Sequence, residues 1–507
     1  MKKKLTAILL AALFLCTACS ERGADIVINA DGYEGMILAT EQSVAAPVSI
    51  PSATLIPAET TAEDGTETDS ETAADETGVS DGSSASETAT VTPQPAVTTT
   101  TTTASTTTTT TAATTTTTQE TTTTTTTATE APITQPTGSN SYSALNYKEV
   151  KGVWISYIEL SSVLTGKTES QFTSSIRQMY TNCVNMGINT VYVHVRSHGD
   201  AYYPSEYFPW SRYVTGTVGK APSFDPLEIM VREAHAQNLS FQAWINPYRI
   251  SSASDIKSVS SSYSTGSWYK TSEGDRVVAV NSQYYLNPAY SEAIDLIAAG
   301  AREITANYNV DGVHIDDYFY PTTDASFDSK AFNASGYSSL SSFRMNNCDK
   351  TVKALYNAVK AGNSSALFGV APQGNVQNNY YYMYADVEKW CSTAGYIDYI
   401  APQIYFGFNN ASQPYETVLA QWQKMVSGSG VKLIPGLAVY KIGSEDAYGG
   451  STGKYEWQTD TKIIKRQIEA AKAKASYGGV ILYSYNNVFD TTSAVKAEMN
   501  AVKDIFV

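Results

Sequence analysis

Two adjacent carboxylates, Asp316 and Asp317, lie in the sequence DGVHIDDYFYP at residues 311–321. An apolar, strand-like run ends at this pair, and the Tyr-Phe-Tyr-Pro that follows favours a loop. Two carboxyl groups in one site repel each other's charge, so one can stay protonated at neutral pH while the other is ionised. Glycoside cleavage needs this division of labour, because the leaving oxygen takes a proton and the oxocarbenium-like carbon needs negative charge nearby. The pair therefore predicts glycosidase chemistry; the alternatives are a strand cap, a cation ligand or a partner for an arginine.

Eight strand-like runs alternate with amphipathic helical stretches from about residue 148 onward. This alternation is typical of βα units with a parallel sheet, and eight units predict a single α/β domain, a (β/α)8 TIM barrel. The predicted strands are 150–158, 188–197, 239–247, 310–318, 366–374, 396–406, 431–440 and 478–486.

Side-chain alternation along each strand predicts which residues face the barrel interior. In the second strand the valines occupy alternate positions and form the helix-facing set. The predicted inward residues are Tyr192, His194 and Arg196 in the second strand, Gln242, Trp244 and Asn246 in the third, and Gly312, His314 and Asp316 in the fourth. Since barrel enzymes carry their chemistry at the carboxyl ends of the strands, these polar and aromatic residues are candidate site residues.

Several of these candidates have a structural alternative. Trp154, Trp210 and Trp244 are predicted to form the floor of sugar subsites, or else to fill the barrel. His314 is either a buried hydrogen-bonding partner or a proton shuttle. Arg196, beside His194, either binds a lactyl carboxylate of the glycan or neutralises the Asp pair. Tyr405, Tyr440 and Tyr483, at three other strand ends, fit substrate hydroxyl contacts or packing at the rim.

The first 19 residues combine three lysines, an apolar run and small residues before Cys19. This pattern predicts an export signal, and the apolar run is too short for a typical spanning helix. Thr17-Ala18-Cys19 resembles a bacterial lipoprotein cleavage site, although Cys16 stands where Leu is usual. The chain is therefore predicted to be extracytoplasmic, either anchored to the bacterial membrane by lipidated Cys19 or cleaved near Ala18 and secreted.

Residues 20–147 are predicted to be a disordered linker, acidic and rich in Ala, Ser and Thr to about residue 87 and almost entirely Thr over 88–137. Such a tract cannot bury enough apolar surface to offset its ordering entropy. It forms a stalk that gives the catalytic domain, residues 148–507, reach within a cell wall, and it is a candidate for O-glycosylation.

Composition excludes several other function classes. A net charge of −15 argues against a nucleic-acid partner, which requires a basic surface. The four histidines form no paired metal motif, so neither a metal nor an organic cofactor is predicted. Cys183, Cys348 and Cys391 are too few and too widely spaced for a disulfide scaffold and are predicted to be small buried hydrophobes.

The chain resembles the glycosyl-hydrolase-like family ten barrels over about residues 150 to 490, in the successive motifs GVWIS, RSHGDAYYPSEYFPWS, AWINPYR, DGVHIDDYFYP, APQIYF and GGVILYSY. The family includes bacterial lipoproteins and hydrolases of denuded peptidoglycan strands, which have lost their stem peptides. The resemblance implies that Asp316 and Asp317 are catalytic. It implies substrate contacts for Arg196, Asp200, Trp210, Asn246, Tyr248, Arg249, Gln403 and Tyr405. The APQGN sequence at 371–375 departs from the family pattern, because it lacks the usual aromatic and basic residues.

The roles within the acid pair stay open. The pair also resembles that of substrate-assisted N-acetylhexosaminidases, which implies Asp317 as general acid and Asp316 as the group that orients the substrate acetamide, or the reverse. In a competing mechanism one member works with a more distant acid, for which Glu206, Asp200 and Glu159 are available.

The sequence thus predicts a glycoside hydrolase acting on O-glycosidic bonds of cell-wall glycan, most specifically denuded peptidoglycan. One alternative is a hydrolase of another polysaccharide. The alternative from another class is a catalytically silent glycan-binding lipoprotein, against which the acid pair argues, because a desolvated pair costs stability and a pure binder has no use for it. Trp154, His194, Trp244 and His314 complete the predicted substrate-binding set.

Overall fold

The computed structural model describes residues 139–271, 275–316 and 319–507. The predicted signal peptide, Cys19, the linker up to residue 138, and Asp317 lie outside the described residues. The strands are β1 Val150–Ile155, β2 Thr190–Arg196, β3 Ser240–Ile245, β4 Arg249–Ser252, β5 Val277–Val280, β6 Gln283–Leu286, β7 Gly312–Ile315, β8 Leu367–Val370, β9 Tyr399–Ile400, β10 Lys432–Leu433, β11 Gly436–Ala438 and β12 Gly479–Tyr483.

Nine of these strands form one parallel sheet in the order β10-β9-β8-β7-β3-β2-β1-β12-β11. Its two terminal strands, β10 and β11, are separated by only Ile434 and Pro435, so the sheet closes on itself. The N–H of Ile434 donates to the Ile400 carbonyl on one side, and the N–H of Ile481 donates to the Pro435 carbonyl on the other. Proline has no N–H to donate, which explains why one barrel strand appears as two short pieces. The prediction of an eight-stranded barrel is confirmed.

Helices cover the outside of this barrel. They are α1 Tyr157–Leu164, α2 Glu169–Asn185, α3 Arg212–Thr215, α4 Pro226–His235, α5 Ala253–Ile256, α6 Ser264–Lys270, α7 Ser291–Asn307, α8 Ser329–Ala334, α9 Leu340–Gly362, α10 Val376–Tyr381, α11 Val387–Ser392, α12 Tyr415–Val426, α13 Gly450–Gly453, α14 Glu456–Thr459, α15 Ile463–Lys472, α16 Tyr485–Val488 and α17 Ser493–Phe506. No helix in the described part of the chain combines the length and apolarity needed to cross a bilayer.

The barrel interior is a separate apolar cluster, built mainly from aromatic rings of alternate strand positions. Trp154, Tyr192, Trp244 and Tyr399 belong to it, whereas the valines of β2 pack in the outer core beneath the helices. A Cβ atom at Gly369 would lie 2.1 Å from the Tyr399 ring, so this ring fits only because β8 carries a glycine there. Bulky inward rings fill the barrel and leave polar groups for its carboxyl end.

A three-stranded antiparallel sheet, ordered β4-β6-β5, follows the third barrel strand directly. Asn281 and Ser282 connect β5 to β6 with φ angles of 48° and 68°. Positive φ at both positions is the requirement of a tight two-residue hairpin turn, in which Asn is favoured. The insertion forms a wall beside the carboxyl ends of the barrel strands.

Residues 140–147 contact the folded domain, although they belong to the predicted linker. Asp311, immediately before β7, accepts hydrogen bonds from the Tyr142 hydroxyl at 2.9 Å and the Leu145 N–H at 2.5 Å. The Tyr142 ring stacks on His235, with ring centroids 5.4 Å apart. Since Asp311 precedes its strand, this segment crosses the amino-terminal end of the barrel, opposite the end where the candidate site lies.

Candidate active site

Asp316 follows β7 at the carboxyl end of the barrel and is only 4% exposed. Tyr405 lies nearby: burial raises its pKa, and the charges of neighbouring tyrosines and of Asp316 raise it further. Tyr405 packs against Tyr440 and Tyr483, with ring centroids 5.9 Å away in both cases. Tyr440 and Tyr483 are half-buried, so this tyrosine trio forms an aromatic rim on the side of the later strands.

Beneath Asp316, His314 is a neutral member of a buried hydrogen-bond network. The Trp154 indole N–H donates to its Nε2 at 3.1 Å, so the ring proton lies on Nδ1, 3.0 Å from the Tyr399 hydroxyl. Burial lowers the pKa of His314 to about 3. These contacts favour a role for His314 as a buried hydrogen-bonding partner over a role as a proton shuttle. Both Trp154 and His314 help to fill the barrel.

A second buried network holds the end of β3. The Tyr157 N–H donates to His194 Nδ1 at 3.1 Å, which leaves Nε2 as the protonated nitrogen, 3.3 Å from Asn246 Oδ1. The His194 ring stacks on Trp244 at a centroid distance of 3.4 Å. Asn246 also donates to the Ser197 carbonyl at 3.2 Å. Thus three predicted substrate residues, Trp244, His194 and Asn246, are joined through His194 in one buried cluster.

Arg196 lies outside the barrel interior, so its predicted inward orientation is wrong. A register shift between His194 and Arg196 pairs Arg196 with Ile245, a residue of the outer core. Its guanidinium lies over the Phe208 ring, 4.3 Å from the centroid, and a Cβ at Gly300 of α7 would be 3.0 Å from its Nη1. The shift reverses the side-chain alternation on which the prediction depended.

Glu303 on α7 shares this buried layer. Its carboxylate accepts hydrogen bonds from Ser205 Oγ at 2.6 Å and from the Glu206 N–H at 2.7 Å. Burial outweighs these bonds and raises the pKa of Glu303 from 4.5 to about 7. Between these two values the folded protein holds a proton that the unfolded chain has released, so stability falls as the pH rises.

We expect ionisation of Glu303 to lower the free energy of unfolding by about 3 kcal/mol between pH 4.5 and 7. The stabilisation is complete below pH 4.5 and is lost as the pH rises through about 7. Urea unfolding of the wild type and Glu303→Gln at several pH values in this window measures the effect, because glutamine cannot ionise. Equal pH dependence in the two proteins would contradict the assignment.

Asp200, Trp210 and Arg249 line a cavity of about 250 Å³ at the carboxyl ends of the first four barrel strands. Burial raises the pKa of Asp200 to about 6. The same cavity is also lined by residues outside the predicted site: Tyr157, His198, Tyr213 and Gln283. Tyr157 and His198 lie just after β1 and β2, so their position at the ends of predicted strands could have identified them. Gln283 belongs to the insertion, and no sequence pattern marks it as a site residue.

Two other predicted substrate residues do not line this cavity. Tyr248 is 1% exposed and lies among buried side chains, where burial and its neighbour Cys348 raise its pKa. Gln403 lies at the sixth barrel strand and donates from Nε2 to the Ala371 carbonyl at 3.2 Å. The three body cysteines are buried, as predicted.

Of the three acids predicted as possible partners of the pair, only Asp200 lines the cavity. Glu159 accepts bonds from the Ser156 N–H at 2.6 Å and from the Ser484 hydroxyl and Asn486 N–H at 2.7 Å each. These bonds hold Glu159 as a structural brace between β1 and the chain after β12. Glu206 is exposed and does not line the cavity.

Arg344 of α9 holds the loop that follows β7. Its guanidinium forms a 2.6 Å ion pair with Asp328, and both side chains are inaccessible to solvent. It also donates to the Thr322 carbonyl at 3.2 Å and lies 5.0 Å from the ring centroids of Tyr320 and Tyr384. This cluster anchors the chain a few residues beyond the acid pair. Within residues 139–271, 275–316 and 319–507, no three His, Cys, Asp or Glu side chains are grouped as a metal site.

Comparison with known proteins connects this site to a family. The model of the glycosyl hydrolase-like 10 family matches residues 149–449. Glycosyl hydrolase YngK of Bacillus subtilis is 33% identical over 367 residues, 66% of this chain and 69% of that protein. Glycosyl hydrolase DigH of Escherichia coli K12 is 29% identical over 411 residues, 72% of this chain and 90% of that protein.

Among solved structures, the PgaB (BpsB) glycoside hydrolase domain of Bordetella bronchiseptica matches 71% of this chain and 99% of that domain, with 12% identity and a TM-score of 0.48. The family match covers more than half of the 507 residues and contains every strand of the barrel except β12. The chain belongs to the glycosyl hydrolase-like 10 family, and the prediction that it is a glycoside hydrolase is confirmed.

Proposed function

We propose that the enzyme hydrolyses O-glycosidic bonds within denuded peptidoglycan strands, with Asp316 and Asp317 as its catalytic pair. The observation that carries the proposal is the position of Asp316: a buried carboxylate at the carboxyl end of the fourth barrel strand, near Tyr405 of the tyrosine trio. This end of the barrel is where enzymes of this fold carry out their chemistry.

The proposed mechanism assigns the proton to Asp317. Its carboxyl group protonates the glycosidic oxygen while the bond from C1 to that oxygen breaks and the electron pair passes to the oxygen. Asp316 orients the 2-acetamido group of the sugar, whose carbonyl oxygen bonds to C1. A water molecule then adds to C1 and gives a proton to Asp317, which regenerates the acid and the acetamide. The reverse assignment of the two carboxyl groups balances equally well.

Incubation of the full chain with defined glycans, followed by mass spectrometry of the products, tests the substrate. We expect cleavage of alternating amino-sugar strands without stem peptides, and little or none of the same strands with peptides attached. Cleavage of chitin or plant polysaccharides but not of denuded strands would show that the substrate is another polysaccharide. Binding of denuded strands without cleavage of any glycan would contradict the catalytic proposal.

We also propose that the enzyme works outside the cytoplasm, attached to the membrane by a lipid on Cys19. The support is the order of charged, apolar and small residues that ends at Cys19. Cell fractionation of the wild type and Cys19→Ala tests it: the wild type should sediment with membranes and the variant should not. A wild type found wholly in the medium would instead support ordinary secretion.

A further inference from the structure

The cavity of about 250 Å³ at the carboxyl ends of the first four barrel strands has two chemically different walls. One wall comes from the loops that follow β1 and β2. It carries the aromatic rings of Tyr157, His198, Trp210 and Tyr213. The other wall comes from the three-stranded insertion and the chain between its first two strands. It carries Ile250, Ser251, Ser252, Val259, Val280, Asn281 and Gln283. A ligand in this cavity therefore contacts rings on one side and aliphatic and amide groups on the other.

The two walls meet at Gly199, in the loop after β2. Its N–H donates to the Ile250 carbonyl at 2.8 Å, and a Cβ atom at this position would lie 3.1 Å from Ile250 Cγ2. On the aromatic side, Tyr213 packs on Tyr157 and His198, at ring-centroid distances of 4.8 and 5.6 Å. The protein's own contacts therefore define the cavity, which is preformed in the way that small-molecule sites usually are.

The volume of the cavity matches one sugar unit rather than several. Pockets that enclose drug-sized ligands span roughly 300–1,000 Å³, and this cavity lies just below that range. The flat ring of Tyr213 suits the apolar face of a pyranose. The cavity lies at the same end of the barrel as Asp316, and Pro321 of the loop that follows the acid pair lines it. One sugar of a glycan bound at the acid pair can therefore occupy it.

The insertion wall offers the two kinds of contact that a 2-acetamido substituent needs. Ile250 and Val259 are buried and Val280 is half-buried, so their side chains provide an apolar surface for the acetamide methyl. The side-chain amide of Gln283 contains both donors and an acceptor, which complement the carbonyl and the N–H of an acetamide. Recognition by these groups requires no free charge in the cavity, because an acetamide is neutral.

We propose that this cavity is a subsite for a pyranose with a 2-acetamido group, and that Val280 and Gln283 of the insertion recognise that group. The inference rests on the proposed function and deepens it, because it requires a second N-acetylated sugar in the strand besides the one that Asp316 orients. The insertion would then distinguish amino-sugar polymers from polysaccharides that carry a hydroxyl at the same carbon.

Calorimetric titration of the full chain with N,N′-diacetylchitobiose and its N-glycolyl analogue tests the subsite. The analogue adds a hydroxyl to each acetamide methyl, and mass spectrometry verifies that both disaccharides stay intact. We expect the wild type to bind the acetyl form at least about fivefold more tightly, because burial of an unpaired hydroxyl is unfavourable. The nearly isosteric Val280→Thr should reduce this preference to within about twofold, because its hydroxyl pairs with the glycolyl group. Val278→Thr is the matched control on the same strand, outside the cavity lining, and should retain the preference.

The combination of variant and ligand isolates the cavity from Asp316. A contact of the acetamide with Asp316 contributes equally in the wild type and in Val280→Thr, so only a contact with Val280 changes the preference. Gln283→Leu keeps the test decisive if Val280→Thr does not fold. This variant should bind diacetylchitobiose at least about fivefold more weakly, whereas its affinity for cellobiose, which has no acetamide, should stay within about twofold of the wild type.

Three results would overturn the inference: no acetyl preference in the wild type, the full preference in Val280→Thr, or an equal loss of affinity for both chitobiose and cellobiose in Gln283→Leu. Cleavage of denuded strands by an enzyme with any of these results would overturn the subsite alone. Binding selective for the acetyl form and sensitive to Val280→Thr, without cleavage of any glycan, would overturn only the catalytic proposal.

Discussion

Asp316→Asn is expected to slow cleavage of denuded glycan by roughly 10²–10⁴-fold, the usual contribution of a positioned acid, base or charge-stabilising carboxylate. Asparagine has nearly the same shape but neither holds a negative charge nor transfers a proton. Because Asp316 is 4% exposed, the change also removes a buried charge, so folding should survive the substitution. Product formation over time, with circular dichroism to verify the fold, measures the effect.

Asp317→Asn provides the comparison that separates the two roles. If Asp317 is the general acid, its variant should regain much of its activity on an aryl glycoside whose leaving group needs no proton, and Asp316→Asn should not. Recovery in Asp316→Asn alone would reverse the assignment. Asp295→Asn, on the exposed face of α7, is the matched control and should have wild-type activity. Full activity in both Asp316→Asn and Asp317→Asn would rule out the pair as the catalytic machinery.

Arg344→Met is expected to cost about 3–5 kcal/mol of unfolding free energy, because it leaves the buried Asp328 carboxylate without its partner. The 2.6 Å ion pair is inaccessible to solvent on both sides, so water cannot replace the lost contact. The same change frees the loop after β7 from its contact with the Thr322 carbonyl. Activity of the folded fraction should therefore fall as well, since this loop continues from the acid pair.

Chemical denaturation with urea measures this loss, and Arg302→Met is the matched control. Arg302 lies on the exposed face of α7, so its substitution should change the unfolding free energy by no more than about 0.5 kcal/mol. A double variant in which both Arg344 and Asp328 become apolar should recover part of the stability, because no unpaired charge stays buried. A similar small effect in Arg344→Met and Arg302→Met would show that the buried pair contributes little.

Strand β2 contains both a segment where side-chain alternation predicts the correct orientation and a position where it fails. The rule placed Tyr192 and Trp244 correctly in the barrel interior, because those strand segments are regular and a strand alternates with a period of two. It failed at Arg196, where the register with β3 shifts by one residue. Such a shift depends on how β2 pairs with β3. The sequence of β2 alone does not show this pairing.

The class of this protein could be predicted from local patterns in its amino-acid sequence. Periodic apolar runs specify strands and helices locally, eight such units predict a barrel, and the strand-end acid pair within recognisable motifs predicts a glycoside hydrolase. Which polar residues share a site became clear only from the folded domain. The cavity joins residues from Tyr157 to Pro321, far apart along the chain, and its wall includes an insertion without a motif. Secondary structure and burial follow local patterns, whereas a binding cavity depends on how distant loops pack together.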